Sequence, residues 1–300
     1  MKKTTLTYAG IGAAGVLLAG LFINSSVGQG DTTVANLAEK THVHGIAVDP
    51  NDPSRLLLAT HHGFHIVSPD GTVKQVSDTS DDFMGFTPHP SDASTFYASG
   101  HPERGGNTGV IVSRDGGNSW AQLSPGAGGP VDFHSMDVSK ADPNVMYGSY
   151  RGLQVSRDGG ETWESVGPGP AGLIDLAASA KDPDTVYAAT ESGLQISMDE
   201  GQSWQPTKVT GPPVSLVQVT EDGRIFVFVV GAGLLLGQEG SPKWDTVSNE
   251  FGDRILLHLA ADPSNADRLY AVTQKSEVLA SRDGGKTWQR FGSGNSPEEG

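Results

Sequence analysis

From residue 42 onward the chain repeats one order of apolar and polar positions. A largely apolar segment opens each unit and runs into a turn such as Asp52-Pro53, Asp142-Pro143, Asp182-Pro183 or Asp262-Pro263. A second apolar run follows, at Leu56–Ala59, Phe96–Ser99, Val145–Ser149, Val186–Thr190 and Leu269–Thr273. After a short loop come a third run, a polar glycine-bearing turn and a fourth run behind a Trp. Runs of four or five residues between Gly, Pro and Asp clusters are too short for helices and predict strands. The polar turns carry one phrase four times: Ser113-Arg-Asp-Gly-Gly-Asn-Ser-Trp120, Ser156-Arg-Asp-Gly-Gly-Glu-Thr-Trp163, Ser197-Met-Asp-Glu-Gly-Gln-Ser-Trp204 and Ser281-Arg-Asp-Gly-Gly-Lys-Thr-Trp288.

The phrase is built for a tight turn. Its Asp can bond backbone N–H groups further along, its Gly supplies a positive φ, and its Trp buries a large apolar face. The pattern Ser-x-Asp-x-Gly-x-Ser/Thr-Trp resembles the Asp-box, or BNR repeat, of sialidases, sortilin-type receptors and other β-propellers. Its Asp residues stand 43, 41 and 84 residues apart, the last being two periods. The skipped unit is Gly237-Gln-Glu-Gly-Ser-Pro-Lys-Trp244, and an eroded unit with Ser68-Pro-Asp70-Gly71 precedes the first full box. Six units result, opening near His42, Asp82, Asp132, Gly172, Val214 and Ile255. Four strands in each predict an all-β, six-bladed β-propeller with Asp-box turns over 42–292.

Gly 40 and Pro 18 in 300 residues fit a turn-rich all-β chain. A net charge of −15 offers no basic stripe to displace phosphate counterions and excludes a nucleic-acid partner. Cys 0 excludes thiolate catalysis and thiolate metal ligation. Lys2 and Lys3 precede an apolar run from about Ala9 to Ile23. Residues 1–30 therefore read as a secretory signal or an N-terminal anchor, with small residues Ser26 and Gly28 placed for cleavage. The protein is expected to be exported and monomeric. Residues 31–41 read as a linker or an arm that helps close the ring, and 293–300 as a disordered tail.

In a propeller the first strand of each blade lines the central channel, and the loops joining second to third strands share its entry rim. Function is expected on that rim, opposite the boxes. The equivalent first-strand slot reads His44, Met84, His134, Ile174, a residue within 214–216, and Leu257. Alternation puts residues i and i+2 on one face, so His42 accompanies His44 and Met136 accompanies His134. The rim loops add His61, His62 and His101, so six of the nine His fall in three adjacent blades. His65, His89 and His258 read as ordinary, the last out of phase with the channel row. A His/Met set without Cys suits a borderline or soft transition metal, with copper favoured by the thioethers. The expected ligands are His42, His44, His62, His101 and His134, with His61, Met84 and Met136 as secondary candidates.

Val43 to Phe291 also resembles exported bacterial six-bladed Asp-box proteins labelled glycosyl hydrolase or sialidase-like, through His42-Val-His-Gly-Ile-Ala-Val-Asp-Pro50 and Asp82-Phe-Met-Gly-Phe86. That resemblance implies glycoside hydrolysis as an alternative function. Sialidases use an Arg triad, a Tyr/Glu pair and an acidic Asp, with the first Arg in an Arg-Ile-Pro phrase that this chain lacks. Rim substitutes are Arg104, Arg151 and Arg254, Tyr150, Glu191, Asp82 and Asp132. Such chemistry needs two carboxyl groups, or Tyr with its base, flanking one bond. A third alternative is a non-enzymatic interaction or assembly propeller, like the Asp-box receptors or photosystem assembly factors, with a carbohydrate or an envelope protein as its partner.

Overall fold

The computed structural model describes residues 32–102 and 104–293. The expected N-terminal signal or anchor and most of the expected tail lie outside them. Six antiparallel sheets follow in chain order, each with its first strand innermost. The inner strands are Val43–Val48, Asp82–Pro88, Ser135–Val138, Leu173–Ala178, Val214–Val219 and Leu256–Ala261. Five sheets have four strands, and blade one carries a fifth. The extra strand, Thr32–Thr33, pairs outside Thr72–Gln75, with Thr32 opposite Val73. No helix among the described residues is long and apolar enough to cross a membrane.

The boxes close their turns as their residue types dictate. In blade three, Ser156 Oγ accepts Gly160 N–H at 2.9 Å and donates to Asp158 Oδ1 at 2.8 Å. Asp158 then accepts the backbone N–H and the hydroxyl of Thr162 at 2.8 and 2.6 Å. Blades two, four and six repeat the set. In blade five Glu239 stands at the Asp position, and its longer side chain reaches out to accept Ala180 N–H of blade four at 3.1 Å.

The Trp residues do more than pin their own turns. Trp120 packs with Phe64 of blade one and Phe83 of its own blade, at ring-centroid distances of 5.5 and 4.9 Å. Trp163, Trp204, Trp244 and Trp288 likewise sit in apolar clusters shared with the preceding blade. The core is therefore a ring of seams between blades. The positive-φ box glycine belongs to the same seam: a Cβ on Gly117 or Gly201 would lie 2.4 Å from Phe64 or 2.0 Å from Leu153 of the preceding blade. Only Gly combines that φ with that approach.

The seam between blades six and one has no box Trp. The short helix Val34–Ala38, capped by the Thr33 hydroxyl, fills it instead. Val34 and Leu37 are buried with Val43 and Ile46 of blade one and Tyr270 and Val272 of blade six, and Phe291 packs beside them.

Hydrogen bonds also join neighbouring inner strands around the channel. Asp175 accepts the Ser135 hydroxyl of blade three at 2.8 Å and Val217 N–H of blade five at 3.0 Å. Ser215 Oγ donates to Leu256 O at 2.6 Å, and Ser276 Oγ accepts Val43 N–H at 3.1 Å. In blades one, four, five and six the inner strand is bulged at one place, leaving His44, Ile174, Ser215 and Leu257 unpaired in the ladder. In blade two the irregularity lies between Met84 and Thr87. A bulge bends its strand and re-aims a side chain. In blades one, four, five and six the affected residues are those of the expected rim slot.

Candidate metal centre

The bulge of blade one presents His44 to the mouth of the channel. Its neighbour His61 follows the second strand, Leu56–Thr60, and its backbone N–H donates to His42 O at 3.1 Å. The two imidazoles meet nearly edge to face, with centroids 4.2 Å apart and planes at 78°. Asp82 opens the inner strand of blade two beside them. Its Oδ2 accepts His61 Nδ1–H at 2.7 Å, and its Oδ1 lies 3.7 Å from His44 Nε2. His44, His61 and Asp82 form a group whose ligand atoms all lie within 4.8 Å of one another, and it could hold a metal ion.

Two atoms of this group are buried without a hydrogen-bond partner: His44 Nε2 and Asp82 Oδ1. Leaving a buried polar atom unsatisfied costs roughly 1–3 kcal/mol, and more when it is charged. A cation between the two would satisfy both. Burial, reinforced by His61 and then His258 and His42, lowers the His44 pKa to about 3. The ring is thus neutral at physiological pH, which is the form that binds metal.

A second group stands next to it. Asp132 is buried at the opening of blade three, and its Oδ2 lies 2.9 Å from both His101 Nε2 and His134 Nε2. His101 Nδ1 faces Gly106 O at 2.8 Å. That carbonyl, followed by the Asp132 and Asp82 carboxylates, raises the His101 pKa against a lowering by burial.

The remaining expected ligands take several places. His42 is exposed, its ring 5.6 Å from that of His61. His62 is exposed too, 6.4 Å from the His61 ring, with Nδ1 on the His61 carbonyl at 2.7 Å. Met84 and Met136 are 8% and 5% exposed, and Met136 lies in the channel wall within an apolar cluster. The structure therefore gathers four of the six histidines around two carboxylates, His44 and His61 at Asp82 and His101 and His134 at Asp132, with Met136 in the wall.

Sequence reasoning placed Asp82 and Asp132 only among glycosidase candidates. The signal was available: both stand two residues before the rim slot, where blade one has His42, so alternation turns them toward it. His258 was read as out of phase. The structure corrects this, because the Leu257 bulge turns the next residue to the channel, and His258 lines it. Its ring bonds the Val43 backbone, and burial lowers its pKa to about 4.

Most of the glycosidase candidates have partners of their own. Asp132 is held by two imidazoles. Tyr150 Oη accepts Asn107 Nδ2–H at 3.0 Å, and the Arg151 guanidinium lies 5.2 Å over the Tyr150 ring. Arg254 pairs with Glu277 at 3.1 Å, Glu191 N–H bonds Gly172 O, and Arg104 is exposed. Below the mouth the channel opens into a cavity of about 390 Å³, with Gly45, Met136, Asp175, Leu216 and His258 in its wall.

Comparison with known proteins supports the architecture. A BNR/Asp-box repeat model matches residues 154–165 and 279–290. No curated protein sequence matches the chain. Among solved structures, a GH74 xyloglucanase from Xanthomonas campestris is 20% identical over 83% of this chain and 45% of its own, with a TM-score of 0.53. YCF48 bound to a D1 peptide is 17% identical over 89% of this chain and 84% of its own, at 0.51. A chain of a nidogen/laminin complex is 11% identical over 79% and 92%, at 0.60. The chain spans less than half the length of the GH74 enzymes that it matches. At these identities the likeness is one of fold.

Proposed function

For this BNR/Asp-box β-propeller we propose an exported protein that binds a divalent transition-metal ion at the mouth of its channel, through His44, His61 and Asp82. The observation that carries the reading is the pair of buried, partnerless ligand atoms, His44 Nε2 and Asp82 Oδ1, 3.7 Å apart. Two imidazoles and a carboxylate suit ions of borderline hardness, and across N/O sites affinity peaks at Cu(II). Copper(II) is accordingly the ion favoured, with zinc its competitor. The sequence favoured copper through its thioethers, and the burial of Met84 and Met136 weakens that part of its support. Lys2, Lys3 and the apolar run behind them support export.

The His61 Nδ1–H bond to Asp82 leaves its Nε2 as the ring's lone pair in the neutral form. Either His61 turns that nitrogen to the ion, or its proton moves to Nε2 and Nδ1 binds beside the carboxylate. In both arrangements protons compete with the ion for the ligand atoms, so affinity falls with acidification. Storage, delivery and sensing of the ion all fit an open rim on a rigid ring. The test is elemental analysis of protein purified without chelators, wild type against Asp82→Asn. Bound copper or zinc in the first, lower by one equivalent in the second, supports the reading. Absence of metal from both, even after incubation with Cu(II), removes it.

A further inference from the structure

Asp132 poses a hydrogen-bonding problem that the first site does not solve. His101 is anchored through Nδ1 on the Gly106 carbonyl at 2.8 Å. A nitrogen facing a carbonyl must carry the proton, so in the neutral ring Nε2 holds a lone pair. That nitrogen lies 2.9 Å from Asp132 Oδ2, another lone pair. Two acceptors at that distance repel unless a proton or a metal cation stands between them. His134 Nε2 reaches the same oxygen at 2.9 Å, while Asp132 Oδ1 is buried with no partner at all. A backbone carbonyl fixing one imidazole nitrogen while the other faces outward is the arrangement by which proteins orient metal-binding histidines.

The two sets are neighbours by construction. Asp82 of the first and His101 of the second are direct cross-strand partners in blade two. Directly opposed residues have Cβ atoms roughly 4.5–5.5 Å apart. Each set also repeats one plan, a rim-loop His of one blade against the opening Asp of the next: His61 with Asp82, and His101 with Asp132. Each adds a His from a rim slot, His44 or His134. The plan stops at blade three, where Arg151 follows the second strand in place of His61 and His101.

We propose that the channel mouth is a paired site, in which His101, His134 and Asp132 hold a second divalent transition-metal ion beside the one at His44, His61 and Asp82. The proposal extends the reading above, but its ligands are separate and it can fail alone. The competing occupant is a proton, which would make His101 an imidazolium paired with Asp132.

Stoichiometry separates the two. Chelator-treated full-length protein is titrated with Zn(II) alone at pH 8, where the proton competes least, and bound metal is counted after desalting. Wild type is expected to bind two ions, His134→Ala and Asp132→Asn one each, and His44→Ala one. His134 has a side chain 69% exposed, so its variant keeps the fold even if Asp132→Asn does not. Loaded with two equivalents of Cu(II), wild type should show a dipolar-broadened paramagnetic resonance spectrum that His134→Ala sharpens. One ion in wild type, unaffected by His134→Ala but lost in His44→Ala, overturns the paired site and leaves the first intact. One ion lost in His134→Ala and retained in His44→Ala overturns the first site instead. No ion in any form overturns both.

Discussion

Burial has opposite consequences for the histidines and for one carboxyl group of this ring, and together they set its response to acid. His65 and His258 have pKa values lowered to about 4, chiefly by burial, from an ordinary 6.5. Between those values the unfolded chain binds the proton that the folded one refuses. Their contribution is therefore complete above about pH 6.5 and is lost as pH falls toward 4. Each proton gives a slope of about 1.4 kcal/mol per pH unit. Asp175 works the other way: burial raises it to about 6, so its folded form takes up a proton first and offsets one histidine below that pH. His65, in the third strand of blade one and outside both metal groups, isolates the effect. Denaturant midpoints of metal-free wild type and His65→Leu are compared from pH 7 to 4, and wild type should fall relative to the variant as pH falls. Parallel curves would show that His65 titrates normally.

At the scale of elements, turns and bulges divide the labour. The box turns are scaffold: Asp158→Ala removes the acceptor for two Thr162 groups and should cost about 1–2 kcal/mol, as other lost caps do. Metal affinity should not change, and a folded variant with weakened binding would assign the boxes a second role. The bulge at His44 belongs to the site. Blade six grips the residue before it from both sides, with Ser276 Oγ accepting Val43 N–H and the His258 ring bonding the Val43 backbone. Ser276→Ala should cost about 1 kcal/mol of stability and weaken metal binding roughly tenfold, as losses of supporting contacts do. Unchanged affinity would show that the bulge holds itself. The same division explains what the sequence made legible. Strands, boxes and the His44/Met84/His134 row follow from period and alternation, which are properties of residue types. Asp82 and Asp132 obeyed that alternation too, and were missed as ligands because the expected donor set was imidazole and thioether. His258 was beyond reach, because a bulge inserts one residue into the ladder without marking the binary pattern.

The described residues form a ring closed by seams, and one seam has no box Trp. Leu37, 7% exposed, fills it from the short N-terminal helix. Leu37→Ala should cost about 2–3 kcal/mol, near the lower end for buried leucines because the helix can settle inward. A calorimetric scan checks this, and an unchanged midpoint would show the seam closed by Phe291 and Tyr270 alone. That closure matters to function because blade six carries the residues that hold His44, and blades one to three carry both carboxylates. The ring as a unit thus sets the mouth geometry, and any ion bound there should raise the melting temperature of the whole domain. The central claim is that the mouth is a metal site, and the most direct measurement is a crystal soaked in Cu(II) or Zn(II), read by anomalous scattering at the metal edge. The account predicts a peak bonded to His44 Nε2, a His61 ring nitrogen and an Asp82 oxygen, at about 2.0–2.2 Å. A saturating soak with no peak at the mouth, and with His44 Nε2 and Asp82 Oδ1 satisfied by water instead, would contradict it.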